Sequence, residues 1–213
     1  MLKLLSLILI TILPLNSFAG LIELQGTPAK KEKINIFPKA TTNVAGETIS
    51  MTSIGSGIRS KKVVFVNVNV YVGQLLVSNP ESFNLAETEA LSSLKNQKTS
   101  AIILNFLRDV EAEKVQNSFK EALVANKVNL EETSIRQFLE AVTKGGVAQN
   151  GKTIVLVGSR LKDGQELISY ESSTGSIVEI KGSSGLIEKI FSIWLGNPAD
   201  EGIANLKKSL LTK

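Results

Sequence analysis

Few side chains in this sequence could carry chemistry. Histidine and cysteine are both absent. That removes the commonest metal ligand and the commonest general base at neutral pH. A Ser-His-Asp triad, a Cys-His dyad and a His-containing zinc site are therefore impossible. No Asp-x-Asp-x-Asp-Gly calcium loop appears either. No catalytic set, metal site or cofactor is expected. What remains is Gly55-Ser56-Gly57-Ile58-Arg59-Ser60-Lys61, with Tyr71 lying 12 residues beyond Arg59. The segment lacks the Gly-Lys-Ser/Thr of a phosphate loop, and a strand rather than a helix follows it, so no helix N-terminus is there to hold phosphate. It reads as a glycine-rich turn between two strands. Arg59 stands at the entrance of the second strand. On residue type alone it is a surface arginine, and Tyr71 is a packed aromatic with a wet hydroxyl.

The elements that position these residues follow from periodicity. Glu47 to Ile54 reads as a strand broken by Gly55-Ser56-Gly57. In Val63 to Val77, valines at 64, 66, 68, 70 and 72 recur at period two opposite Phe65, Asn67, Asn69 and Tyr71. That pattern predicts a half-buried strand, long enough to require a bend near Gly73. Ser100 to Leu107 is a second strong strand. Asp109 to Asn126 and Glu131 to Thr143 show helical stripes, the latter ending at Gly145-Gly146. Strands return at Lys152 to Val157, Glu166 to Tyr170 and Ser176 to Ile180, separated by turns at Asp163-Gly164 and Thr174-Gly175. Leu186 to Leu195 is apolar nearly all round and therefore a buried helix. Its Ile190 to Pro198 stretch holds the only tryptophan, read as core packing plus a helix stop. Pro198 is placed to start a last helix carrying Ile203, Leu206 and Leu210. Strands, a helix pair, strands and a second helix pair make an α+β fold with an antiparallel sheet and helices collected against it.

Composition narrows the function classes. The net charge of +4 is mild and the basic residues are scattered, which argues against a nucleic-acid partner. Lys30-Lys31-Glu32-Lys33 contains an acid and reads as solvated surface. At the N-terminus Lys3 precedes an apolar run from Leu4 to Leu15, and Ser17-Phe18-Ala19 offers small residues for a cut before Gly20. Residues 1–19 are thus expected to be a cleaved signal peptide, leaving 20–213 as one domain in the periplasm or secreted. The run is shorter than the roughly 18 apolar residues that span a bilayer. No other stretch qualifies, so the mature chain is expected to have no transmembrane segment. With no cysteine, that exported domain relies on packing without disulfides.

Several segments together resemble the chalcone isomerase-like family, in particular its exported bacterial branch. These are Gly55-Ser56-Gly57-Ile58-Arg59, Val70-Tyr71-Val72-Gly73-Gln74-Leu75-Leu76-Val77, Phe106-Leu107-Arg108-Asp109-Val110 with Glu113-Lys114-Val115, and Ile193-Trp194-Leu195-Gly196-Asn197-Pro198 with Gly182, Ile187 and Phe191. The resemblance implies an open-faced β-sandwich, a large antiparallel sheet with layered helices and a pocket between them. Plant isomerases of the family use an arginine near the glycine turn, a threonine 12 residues later, and a tyrosine and an asparagine at a helix start. Arg59 matches the arginine, but the threonine position holds Tyr71. The helix start, Asp109 to Ser118, has no tyrosine, and its Asn117 is out of clear register. The family's fatty-acid-binding members instead pair the arginine with a tyrosine, as Arg59 and Tyr71 would here: a guanidinium forks onto a carboxylate and a phenol adds one donor. The resemblance therefore implies a non-enzymatic protein binding an apolar small-molecule carboxylate such as a fatty acid. Two alternatives are an isomerase or intramolecular lyase with altered catalytic residues, and a protein-interaction module with a closed pocket and a structural Arg59.

Overall fold

The structure, a computed structural model, describes residues 20–212. The expected signal peptide and its cut site before Gly20 involve residues 1–19, outside the described ones. The fold is a curled antiparallel sheet with four helices, the α+β class expected. The strands are β1 (Glu23–Gln25), β2 (Ala29–Lys31), β3 (Ile34–Ile36), β4 (Lys39–Val44), β5 (Glu47–Val63), β6 (Val66–Val77), β7 (Thr99–Phe106), β8 (Thr153–Arg160), β9 (Glu166–Glu171) and β10 (Ile177–Gly182). The helices are α1 (Ala112–Ala125), α2 (Thr133–Lys144), α3 (Leu186–Leu195) and α4 (Glu201–Leu210). Eight strands form one sheet in the order β1-β4-β5-β6-β7-β8-β9-β10, while β2 and β3 form a separate hairpin.

One face of the sheet carries the main core. Leu75, Ile102, Leu104 and Leu156 meet Phe119, Phe138, Ile190, Phe191 and Trp194 from the helices. The stripes expected on α1 and α2 are the buried ones, with Val115 and Phe119 on α1 and Ile135, Phe138 and Leu139 on α2. The other face holds a smaller cluster of Met51, Leu76, Ile103, Val155 and Val157, against which Leu21 and Ile22 pack. Gln74 is buried on that face and donates to the Phe37 carbonyl at 2.6 Å and to Ser53 Oγ at 2.9 Å. Lys31 leaves the solvated surface expected of its cluster, since its Nζ donates to the Ser56 carbonyl.

The glycine segment departs from expectation. Gly55-Ser56-Gly57 is no turn, because β5 runs unbroken through it for 17 residues. The turn lies at Val64-Phe65, between the paired Val63 and Val66. The long strand expected from Val63 is thus the return arm of a hairpin. Its irregularities are not at Gly73. The register with β5 slips at Ile54 and at Val70. Nor is the valine face half-buried along its length, since Val64 and Val66 are exposed and burial begins only toward Tyr71. The physical reason is that β6 gains its second neighbour, β7, only from Tyr71 onward.

The glycines are needed by α4 instead. A Cβ on Gly55 would overlap the Leu210 carbonyl. One on Gly57 would sit 2.5 Å from Ser209 Cβ and 2.9 Å from Leu206 Cδ1. Pro198 does not open α4: Asp200 caps it, its Oδ1 accepting from the Ile203 N–H at 2.9 Å.

Candidate functional site

Arg59 and Tyr71 do not share a strand. They are direct cross-strand partners on β5 and β6, and Tyr71 in turn opposes Phe106 on β7. The 12-residue spacing is the path around the hairpin. The three residues therefore form a transverse row across the sheet. The bulge at Val70 breaks the alternation just there, so Val70 and Tyr71 both line the same space.

That space is a cavity of about 540 Å³ between the sheet and α1. Its apolar wall is Val68, Val70, Tyr71, Phe106, Val115 and Phe119. The rings of Tyr71 and Phe106 lie 5.5 Å apart and tilted. Arg59 also lines the cavity, and the exposed Lys61, Arg108 and Lys114 stand at its rim with Asp109, Glu111 and Glu121. Asn117 lines it as well, exposed and on the second turn of α1.

The polar end is tightly organised. Tyr71 is buried, and its hydroxyl accepts from Trp194 Nε1 at 3.2 Å. Burial pushes its pKa up to about 12, with the Arg59 charge pulling the other way. Tyr71 is thus a neutral phenol at pH 7. Among the described residues its own proton has no acceptor, so it remains a free donor beside the cavity. Arg59 is equally buried, and its guanidinium is engaged from one side. Its Nη2 meets Asp200 Oδ2 at 2.5 Å, and its Nη1 donates to the Ser60 carbonyl. Gly202 lies so close that a Cβ there would overlap Nη1. A second, smaller cavity of about 310 Å³ opens on the far side of Arg59, toward the start of α4.

Two participants escaped the sequence reading. Trp194, expected only to pack in the core, is indeed buried but also donates to the Tyr71 hydroxyl. Asp200 lies 141 residues from Arg59 in sequence, and its one legible signal was a cap position after Pro198. The Gly196-Asn197-Pro198 stop has a structural role. Asn126, at the end of α1, exchanges hydrogen bonds with the Asn197 backbone at 2.6 and 2.9 Å. No group of three or more acidic side chains among the described residues could hold a metal ion.

A sequence profile of the chalcone isomerase-like family matches residues 31–212. The chain belongs to the chalcone isomerase-like family. No curated protein matches it in sequence. Among solved structures it is similar to a fatty-acid binding protein of Arabidopsis thaliana, with a TM-score of 0.53 over 80% of this chain and 95% of that one. Identity is 17%, so the likeness concerns the fold. Within that family fold, this chain places Arg59 on β5 and Tyr71 across from it on β6.

Proposed function

We propose that this chalcone isomerase-like protein is a non-enzymatic binder of an apolar small molecule with an acidic head, such as a fatty acid. The observation that carries the reading is the sheet–helix cavity, with apolar walls and with Arg59 and the free Tyr71 donor at one end. A volume of this size accommodates a small ligand. The head group would lie against Arg59 and accept from Tyr71, and the chain would lie between Val70, Phe106 and Phe119. The fold shared with a fatty-acid binding protein supports the same reading. The isomerase alternative lacks support at the start of α1, where no tyrosine faces the cavity.

Fatty-acid titration of wild type, Arg59→Ala and Tyr71→Phe tests this, with circular dichroism to confirm folding. A lost charge-assisted contact costs about 2–5 kcal/mol. Asp200 already shares the guanidinium, so the low end applies, about 30-fold in affinity. Tyr71→Phe removes one neutral donor, about 0.5–1.5 kcal/mol. Equal affinity in all three folded proteins refutes the site. Saturable conversion of a chalcone to a flavanone, lost in Arg59→Ala, would establish the isomerase instead.

We also propose that the protein acts after export, with Gly20 as its first residue. Gly20 lies against the Glu171 carboxylate, which accepts from the Leu21 N–H at 2.8 Å. A new α-ammonium at Gly20 would fall beside that charge. Intact mass of the exported protein checks the start, and a chain beginning at Met1 would sink it.

A further inference from the structure

The β5–β6 hairpin outgrows its sheet. The β4 strand pairs with β5 only as far as Thr52, and β7 pairs with β6 only from Tyr71. Beyond Arg59 and Tyr71 the two strands continue as a two-stranded arm to Val64-Phe65. At about 3.3 Å per residue the arm projects roughly 15 Å. Its tip is apolar and bare: Val64, Phe65 and Val66 are 79%, 90% and 64% exposed. A two-residue hairpin loop favours Asn-Gly or Gly, because it needs positive φ. Here a β-branched valine takes that conformation, with φ of 58° at Val64. An unfavourable loop residue and an unburied phenylalanine occupy a site where small polar residues would be cheaper in both respects.

The charges on the arm itself are of one sign, while Asp200 and Glu201 at the start of α4 share the smaller cavity with Lys61 and Lys62. Lys61 and Lys62 are exposed just behind the tip, and no acidic residue occurs between Glu47 and Glu81. Polar Asn67 and Asn69, also exposed, complete the arm. An apolar point backed by a cationic collar complements a surface that is negative outside and apolar beneath, which is the interface of an anionic lipid bilayer. We infer that the hairpin tip docks on anionic membrane, Phe65 and its valine neighbours entering the interface and Lys61 and Lys62 meeting the head groups. The arm's base lines the sheet–helix cavity through Lys61, Val68 and Val70, so docking brings that cavity to within a few residues of the lipid. The docking itself does not depend on what the cavity holds.

Vesicle flotation of the full chain tests the inference. Wild type and variants share residues 1–19, so the difference between them reads the tip alone. Phosphatidylcholine vesicles containing phosphatidylserine should bind the protein, and pure phosphatidylcholine far less. Phe65→Ser should weaken partitioning about tenfold or more. Lys61→Gln combined with Lys62→Gln should weaken it roughly 30-fold, with the difference shrinking at high salt. Because the chain has no cysteine, Phe65→Cys carries a single environment-sensitive dye. It should shift blue on anionic vesicles and be quenched by lipid-borne quenchers, while the same dye on Lys181→Cys, on edge strand β10, should not. Equal flotation of wild type and both tip variants, or an unshifted dye at position 65, overturns the inference. So would lipid-free dimerisation lost in Phe65→Ser, which would assign the tip to a second copy of the chain.

Discussion

Replacing Asp200 with Asn separates a ligand-binding Arg59 from a structural one. Asn caps a helix as well as Asp does, so the bond from the Ile203 N–H to the Asp200 Oδ1 position survives. What is lost is the charge 2.5 Å from Arg59 Nη2. Breaking a fully buried pair costs about 3–5 kcal/mol, and breaking an exposed one about 0–1 kcal/mol. The Arg59 side chain is 4% exposed but that of Asp200 is 39% exposed. Water therefore screens half of the pair, and a loss of about 2 kcal/mol is expected. A bound carboxylate should return much of it, because the uncompensated guanidinium then has its counter-charge. Fatty-acid affinity should therefore rise by about 1–2 kcal/mol, roughly 5- to 30-fold. Urea denaturation at neutral pH measures the first quantity and calorimetric titration the second. A folded Asp200→Asn protein with unchanged or weaker affinity would refute a ligand role for Arg59 and leave it a strut for α4.

Three further outcomes follow from the geometry. The chain has two tyrosines, and burial raises the pKa of both, that of Tyr71 to about 12. Phenolate absorbance should be absent from the folded protein at pH 10 and present in denaturant. The unfolded state then releases protons that the folded state keeps, so stability should fall as pH rises above about 10; a phenolate step near that pH in the folded protein would contradict the burial of both. Gly202→Ala should gain up to about 1 kcal/mol of helix propensity yet lose several from the clash with Arg59 and the Ser60 carbonyl. A net stabilisation in denaturant titration would show that α4 sits farther from β5. Glu132 accepts from Lys189 Nζ at 2.6 Å, a bond that holds its carboxyl below the usual range. Glu132→Gln should cost no more than about 1 kcal/mol near neutral pH, and the gap should close as acid protonates the wild-type carboxylate; a gap that persists in acid would mean the ion pair is not its source.

The sequence showed the regular elements well because their signals are local. The stripes of α1 and α2, the Leu186–Leu195 helix and the glycine turns at 164 and 175 all recur in the structure. The short strands β1, β2 and β4 did not announce themselves, since β1 and β2 span three residues each and owe their place to partners in the sheet. The glycine segment misled for a related reason. Glycine marks a turn when it supplies a positive φ, but Gly55 and Gly57 have none, and what they supply is room for a helix about 150 residues away. The candidate pair was legible as two residues, not as an arrangement. Their spacing suited one strand as well as a hairpin, and only the placement of Val64-Phe65 as the loop makes Arg59 and Tyr71 face each other.

Why glycines and an arginine share one short segment can be argued from that room. Residues at period two on a strand point to one face, so Gly55, Gly57 and Arg59 address α4 together. They meet it in order: Gly55 lies under Leu210, Gly57 under Leu206 and Ser209, and Arg59 under Gly202 and Asp200. Each strand glycine costs about 0.5–1 kcal/mol relative to alanine. Close approach in return buries Ile203, Leu206 and Leu210, each worth about 1.5–3 kcal/mol, so the exchange favours the tight contact. The same contact lowers the start of α4 onto the sheet and sets the Asp200 carboxylate on the guanidinium. Arg59 is thereby held beside Tyr71, with its own side chain kept from swinging into solvent. A looser α4 would free the arginine, and a larger residue at position 57 would lift the helix that holds it. The segment is best understood as a track along which one helix is seated, with the site's cation at the end of it.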